Sequence, residues 1–291
     1  MKKVVAIIGP TAVGKTKLSI DIALKYHNEI ISGDSVQVYK GLDIGSAKIT
    51  KAEMRGVKHH LIDILEPTET YDVSLFQKNA RALINQVKYP MIVGGTGLYI
   101  KAALDNYDFS GEKRDFDSEN QYINLSNEEL YQILVHKDPE SSLKIHPNNR
   151  RRVLRAIGLA DKKKRSDRIL KDDPFYHYQL FYLTLPRPIL YDRINKRVDL
   201  MIAEGFIEEV KTLKERNIHL NILGYRELSL YLDGKYSLAE AIEEIKKNTR
   251  RLAKRQETWF KNQMNSVMID LQEPDKAFRD ITTILDQFWE E

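Results

Sequence analysis

Five apolar residues, Val4-Val5-Ala6-Ile7-Ile8, run without a break into Gly9-Pro10-Thr11-Ala12-Val13-Gly14-Lys15-Thr16. No other stretch restricts the fold so tightly. The β-branched run suits a parallel strand buried on both faces. Gly9-x-x-x-x-Gly14-Lys15-Thr16, between a strand and a helix, is the phosphate-binding P-loop pattern. Its glycines let the backbone wrap an anion with N–H groups, Lys15 adds a positive charge, and the helix N-terminus adds its dipole. Thr16 offers a hydroxyl to Mg²⁺. The loop recognises a phosphate chain and is indifferent to what hangs from the far end, so ATP or another nucleotide is an expectation from shape alone.

Downstream segments continue the alternation. Residues 17–25 read as a helix with Leu18, Ile22 and Ala23 facing inward, and residues 29–32 as a second strand ending at Gly33-Asp34-Ser35. Val73, Phe76, Ala80, Leu83, Ile84 and Val87 recur at helical spacing. Pro90-Met91-Ile92-Val93 is a further buried strand stopped by Gly94-Gly95-Thr96-Gly97, and residues 180–185 are another. This order implies an α/β fold, a P-loop core with a doubly wound parallel sheet and ligands beyond the strand C-termini. Between residues 108 and 174 charge density rises and strand-like runs vanish, which reads as a mostly helical insertion with helices over 127–135 and 149–159. The core is then 1–107 plus 175–291. From Pro188 onward helices are expected to continue to the end, over 189–204, 207–216 and 237–262.

The net charge of +4 is unevenly spread. Residues 150–168 carry +7 and residues 250–261 carry +4, leaving −7 for the remainder. Concentrated positive charge suits a surface that meets a polyanion, although solvated helix faces carry the same signature. The absence of cysteine excludes disulfides and thiolate metal sites. No apolar run approaches the roughly 18 residues needed to span a bilayer, and the run at 4–8 is too short for a signal-peptide core. A cytoplasmic protein with no membrane partner is expected.

Most P-loop nucleotide hydrolases end a second strand in an aspartate that helps to hold Mg²⁺. Here residues 91–93 end in Gly94-Gly95-Thr96 instead, and the carboxylate at a strand end is Asp34. An acid at that position serves as a metal ligand, a base or a loop cap. His59-His60 has no third ligand at metal spacing and reads as structural.

The segments GPTAVGKT (9–16), DSVQVYKGLDIGSAK (34–48), HHLIDI (59–64), GGTGLYIKAAL (94–104), HPNNRRRVLRA (146–156), LGYRELSLYL (223–232) and TRRLAKRQETWF (249–260) together resemble the tRNA dimethylallyltransferases, in family order and over nearly the whole chain. The resemblance implies transfer of a dimethylallyl group from dimethylallyl diphosphate to N6 of the adenosine immediately 3′ to the anticodon, in tRNAs reading codons that begin with U. It implies that Gly9, Pro10, Thr11, Ala12, Val13, Gly14, Lys15 and Thr16 hold the diphosphate with Mg²⁺, and that carbon, not phosphorus, is attacked. The chain also lacks the paired D-D-x-x-D clusters of other prenyl-transferring enzymes; Asp172-Asp173-Pro174 is the nearest approach, and its proline breaks the pattern.

By the same resemblance Asp34 is the base that activates N6, Thr96 lies beside it in the reaction channel, and Arg197 serves the diphosphate. A solvated helix arginine is the commoner fate of such a position, but Ile194, Val198, Met201 and Ile202 define an apolar face that leaves Arg197 free to point elsewhere. Asp34, Ser35, Val36, Gln37 and Thr96 are expected to meet the extruded base, Gln37 being able both to donate and to accept. Arg151, Arg152 and Arg155 are expected to meet tRNA phosphates. Arg251, Arg255 and Trp259 fall at i, i+4 and i+8, one helix face with cations beside an aromatic ring. Gly224-Tyr225-Arg226-Glu227 matches a family segment and is given no chemical role.

Three departures stand out: Arg155-Ala156-Ile157-Gly158 followed by the basic run 162–165, a short region over 108–135, and Ser46 where the family has threonine. The first two imply a smaller or more purely electrostatic grip on the anticodon stem-loop, and Ser46 is a minor change. A monomer is expected. The rival reading is a P-loop kinase acting on a small metabolite or nucleoside; a third is a non-catalytic RNA-binding protein.

Overall fold

The computed structural model describes residues 1–107, 120–160 and 173–290. The basic run 162–165, the region 108–119 and Asp172 lie outside the described residues. The chain divides into two compact units, Met1–Asp105 with Pro174–Glu291, and Asn106–Asp173.

The larger unit is built on one sheet. Its strands are β1 (Lys3–Ile8), β2 (Glu29–Ser32), β3 (His59–His60), β4 (Pro90–Gly94), β5 (His177–Thr184) and β6 (Val267–Asp270), in the order β3-β2-β4-β1-β5-β6. Every pairing is parallel. Side chains of β1 alternate between two cores. Val5 and Ile7 pack with Leu18 and Ile22 of α1 (Lys15–Tyr26) and Ile281 and Leu285 of α12 (Pro274–Glu290). Val4, Ala6 and Ile8 pack with Phe76 and Ile84 of α3 (Val73–Gln86) and Ile100 of α4 (Gly97–Leu104). A strand buried on both faces needs an unbroken apolar run, because period-2 alternation would place polar groups in one of the cores. Each of these buried Val, Leu, Ile and Phe side chains contributes about 1.5–3 kcal/mol relative to exposure.

The remaining helices of this unit are the single turn α2 (Lys51–Met54), α8 (Arg187–Ala203), α9 (Phe206–Glu215), α10 (Tyr225–Leu232) and α11 (Leu238–Gln263). A third core joins Leu42, Val198, Phe206, Tyr225 and Ile245, so α8 to α11 pack on the segment that follows β2. The expectation of helices alone after Pro188 is corrected by β6. Only Ile269 of that strand is buried, so no apolar run marks it; its pairing with β5 decides its conformation. The two-residue β3 is equally silent in sequence. Its histidines are tied locally, His60 to the Glu29 carboxylate at 2.6 Å and His59 Nδ1 to the Val57 carbonyl at 2.8 Å.

The smaller unit contains α5 (Asn127–Lys137), α6 (Pro139–Lys144) and α7 (Arg150–Ala160). Ser126 and Glu129 form a reciprocal capping box at the start of α5. Leu130 and Leu134 pack against Val153, Ala156 and Ile157. Arg150 is structural, its guanidinium donating to the carbonyls of Tyr122, Ile123 and Leu125. Arg151, Arg152 and Arg155 lie on the opposite, exposed side of α7. Among the described residues no helix is long and apolar enough to cross a membrane.

Candidate active site

The adjacent strands β2, β4 and β1 deliver three loops to one edge of the sheet. The P-loop follows β1 and passes into α1 through Gly14, whose φ of +114° lies in the region that glycine tolerates. No side chain caps α1. The N–H groups of its first turn are therefore available to an anion, in contrast to α3, α5 and α11, which are capped by Asp72, Ser126 and Ser237.

Lys15 Nζ donates to the carbonyls of Gly9 at 3.0 Å and Pro10 at 2.8 Å. Its pKa falls from 10.5 to about 8. Burial is the largest cause; Asp34 opposes the fall and Arg197 adds to it. The same interactions place the loop lysine, the strand-end aspartate and the helix arginine in one electrostatic neighbourhood. Arg197 itself is pushed below its ordinary value by burial, with Glu53 acting in the opposite sense. Arg197 is thus not a solvated surface arginine.

Asp34 follows β2. Its Oδ1 accepts from the Val36 N–H at 2.7 Å and from the Gln37 N–H at 3.3 Å, which is the loop-capping role. Oδ2 has no protein hydrogen bond among the described residues. One oxygen fixes the side chain and the other is left for a further partner. Thr96 follows β4. Its N–H donates to the Gly33 carbonyl at 3.3 Å and its hydroxyl to Ser35 Oγ at 3.4 Å, joining the β4 loop to the Asp34 loop. Gln37 is engaged: its amide donates to the carbonyls of Ser46 and Ala47, and its oxygen accepts from Ser32. Thr16, Ser32 and Gln37 line a small cleft beside the P-loop, together with Ser19 and His59.

On α11, Arg251 and Arg255 are exposed, while Trp259 is half-buried, stacked edge-on against Phe260 and lying over Gly97. A Cβ at Gly97 would sit 2.1 Å from the indole.

Four further residues hold the site together and were not singled out from the sequence. Gln256 of α11 accepts from the Thr11 N–H at 2.9 Å and donates to the Gly95 carbonyl at 3.0 Å. Arg193, one turn before Arg197, donates to the Val13 carbonyl at 3.0 Å. Glu209 of α9 accepts from the consecutive N–H groups of Asp43, Ile44 and Gly45, and from the Tyr225 hydroxyl at 2.7 Å. Lys48 reaches the Tyr39 carbonyl at 2.7 Å and the carboxylates of Asp43 and Asp63. Gln256 did leave a trace in sequence. It falls three residues after Ala253 and four before Phe260, both buried, so an amide interrupts the apolar stripe of a highly charged helix. The segment 223–232 is structural here: Glu227 is buried, caps Gly224 and bonds Asn248.

Residues 37–263 match the family model described as IPP transferase. The chain is 48% identical to the tRNA dimethylallyltransferase of Geobacillus thermodenitrificans, over 94% of this chain and 92% of that protein. It is 47% identical to that of Anoxybacillus flavithermus, over 98% and 95%. Among solved structures it resembles the full-length tRNA isopentenylpyrophosphate transferase of Bacillus halodurans (TM-score 0.77, 41% identity, 100% of this chain and 98% of that one). It also resembles a eukaryotic dimethylallyltransferase acting on tRNA (TM-score 0.88, 28% identity, 100% and 80%).

Proposed function

Since the chain belongs to the IPP transferase family, that of the tRNA dimethylallyltransferases, we propose that it moves a dimethylallyl group from dimethylallyl diphosphate to N6 of the adenosine 3′-adjacent to the anticodon, in tRNAs reading codons that begin with U. The observation that supports this reading best is the shared neighbourhood of Lys15, Asp34 and Arg197, with Thr96 tied to the Asp34 loop. Lys15 of the P-loop thus lies within electrostatic reach of a second cation and of a carboxylate that keeps one uncommitted oxygen. The names of the relatives do not favour the kinase alternative.

Adenine N6 is a poor nucleophile because its lone pair is delocalised into the ring. Asp34 Oδ2 would accept a hydrogen bond from the amino group and take its proton as the C–N bond forms, a contribution of about 10²–10⁴-fold. The allylic C–O bond breaks and its electron pair leaves with the diphosphate. Lys15, Arg197 and the amides of the P-loop and of the first turn of α1 would stabilise that charge, usually the largest catalytic effect.

The donor set fits Mg²⁺. Among the described residues no cluster of three carboxylates or imidazoles could hold a metal alone, but Mg²⁺ keeps several waters and takes few protein ligands beside phosphate oxygens. Thr16 would supply the protein hydroxyl. When bound, the ion would neutralise part of the diphosphate charge. The exposed Arg151, Arg152 and Arg155 of the smaller unit, and Arg251 and Arg255 of α11, would meet RNA phosphates. We take the protein to act as a cytoplasmic monomer.

The test is label transfer. The protein, Mg²⁺ and unmodified tRNA are incubated with labelled dimethylallyl diphosphate or with γ-labelled ATP. Allylic label on tRNA is expected with no ATP requirement. Phosphoryl label on any acceptor would favour a kinase instead.

A further inference from the structure

We infer that Gln256 is a positioning residue for the transfer, clamping the loop that carries Thr96 to the loop that holds the diphosphate. The inference rests on the reaction proposed above. Gln256 reaches from α11 to two backbone sites, 245 and 161 residues away in sequence. Each partner leaves no choice of role. The Thr11 N–H can only donate and the Gly95 carbonyl can only accept. The side chain between them must accept with one atom and donate with the other, about one amide apart. A carboxylate satisfies only Thr11, and a thioether neither.

The clamp is close-fitting. A Cβ at Gly95 would sit 2.6 Å from Gln256 Nε2, so the amide lies directly over that glycine. One residue on is Thr96, whose carbonyl accepts from the N–H groups of Tyr99 at 3.0 Å and Ile100 at 3.2 Å, while its N–H and hydroxyl make longer contacts, 3.3 Å to the Gly33 carbonyl and 3.4 Å to Ser35 Oγ. Thr96 is therefore held on one side by the start of α4 and on the other by what holds Gly95, and its hydroxyl has only one long contact of its own. One turn along the same helix Trp259 covers Gly97, so α11 grips the β4 loop on both sides of Thr96. At its other end Gln256 satisfies the Thr11 N–H and fixes the outer half of the P-loop. Beyond the Ile8–Gly94 pairing that ends β1 and β4, this side chain ties the loop of the departing diphosphate to the loop of the base channel. A misplacement of about 1 Å between reacting groups costs on the order of 10²-fold in rate.

The experiment is a mutant cycle with Thr96. Gln256→Met preserves length and removes both bonds. Single-turnover allylic transfer to tRNA is measured at saturating donor for wild type, Q256M, T96A and Q256M/T96A. Q256M is expected to lose roughly 10- to 100-fold in rate with its KM for tRNA little changed. In the T96A background the same substitution is expected to cost far less, because the group it positions is gone. An unchanged rate in Q256M, or an equal fold-loss with and without Thr96, would overturn the inference. Should Q256M not fold, Gln256→Glu is taken through the same cycle, since it keeps the acceptor for Thr11 and loses only the bond to Gly95. Wild type that attaches no allylic label would remove the proposed reaction and this inference with it; active wild type with an indifferent Q256M removes the inference alone.

Discussion

Trp259 lies over Gly97 so closely that a methyl group there would come within 2.1 Å of the indole ring. The neighbour is a rigid bicyclic side chain packed on Phe260, not the tip of a flexible one. Gly97→Ala should therefore displace the ring or the start of α4, at a cost of about 1–3 kcal/mol. Urea unfolding should show a lower midpoint with unchanged slope. Fluorescence of the native state should shift, Trp259 being one of two tryptophans. An unaltered midpoint would mean that the ring has room to retreat.

Asp34→Asn isolates the chemical role of one oxygen. The asparagine Oδ1 can still accept from Val36 and Gln37, so the loop keeps its cap. What disappears is the negative Oδ2. Transfer should slow by about 10²–10⁴-fold, while tRNA binding, followed by filter retention or anisotropy, stays close to wild type. Lost affinity with normal turnover would place Asp34 in binding only.

Lys15 makes the site pH-sensitive, and its sign can be worked out. Burial lowers the folded-state pKa to about 8, beneath the 10.5 of a free lysine. Between those values the unfolded chain holds the proton and the folded one does not, so the cost that this buried group imposes on folding below pH 8 is relieved as pH climbs from 8 to 10.5. Diphosphate acts the other way, because it needs the ammonium. Donor affinity should be flat below pH 8 and weaken above it, by up to about tenfold per unit. Calorimetric titration between pH 7 and 9.5 checks both the break and its direction. Affinity that rises with pH would rule out a charged Lys15 at the diphosphate.

Arg151→Ala and Arg152→Ala together should weaken tRNA binding and flatten its dependence on salt. Each lost phosphate contact reduces the slope of log K against log salt by roughly 0.7–0.9. Arg150→Ala serves as the contrast: its guanidinium holds carbonyls within the smaller unit, so stability should fall with it. An unchanged slope in the double variant removes these two arginines from the RNA interface.

Glu209→Gln tests the anchor of the segment after Asp34. Three successive N–H groups point at this carboxylate, and a glutamine would turn an N–H₂ toward at least one of them. Bonds to a charged acceptor are worth about 1.5–3 kcal/mol. A lower melting temperature and faster proteolysis within residues 34–48 are expected. Intact resistance would show that Lys48 suffices to hold the segment.

Local sequence was enough for β1, the P-loop, α1, β2, α3 and β4, because each advertises itself within a dozen residues. An apolar run, a glycine spacing or a 3.6-residue repeat is a property of neighbours in the chain. The same holds for Asp34 and Thr96, which sit at strand ends where a parallel sheet opens. β3 and β6 left no such mark, since a short edge strand with at most one buried residue owes its shape to the strand it pairs with.

What the sequence determined by itself was the glycine-spaced loop between β1 and α1, the doubly wound core and the family likeness that names a chemistry for them. What only the tertiary structure decided was how the loops are held: Gln256 between Thr11 and Gly95, Arg193 on Val13, Glu209 beneath residues 43–45. These partners are backbone atoms far away in the chain. Every residue carries the same N–H and C=O, so no residue type announces which of them a distant side chain will find. Only folding brings the two together.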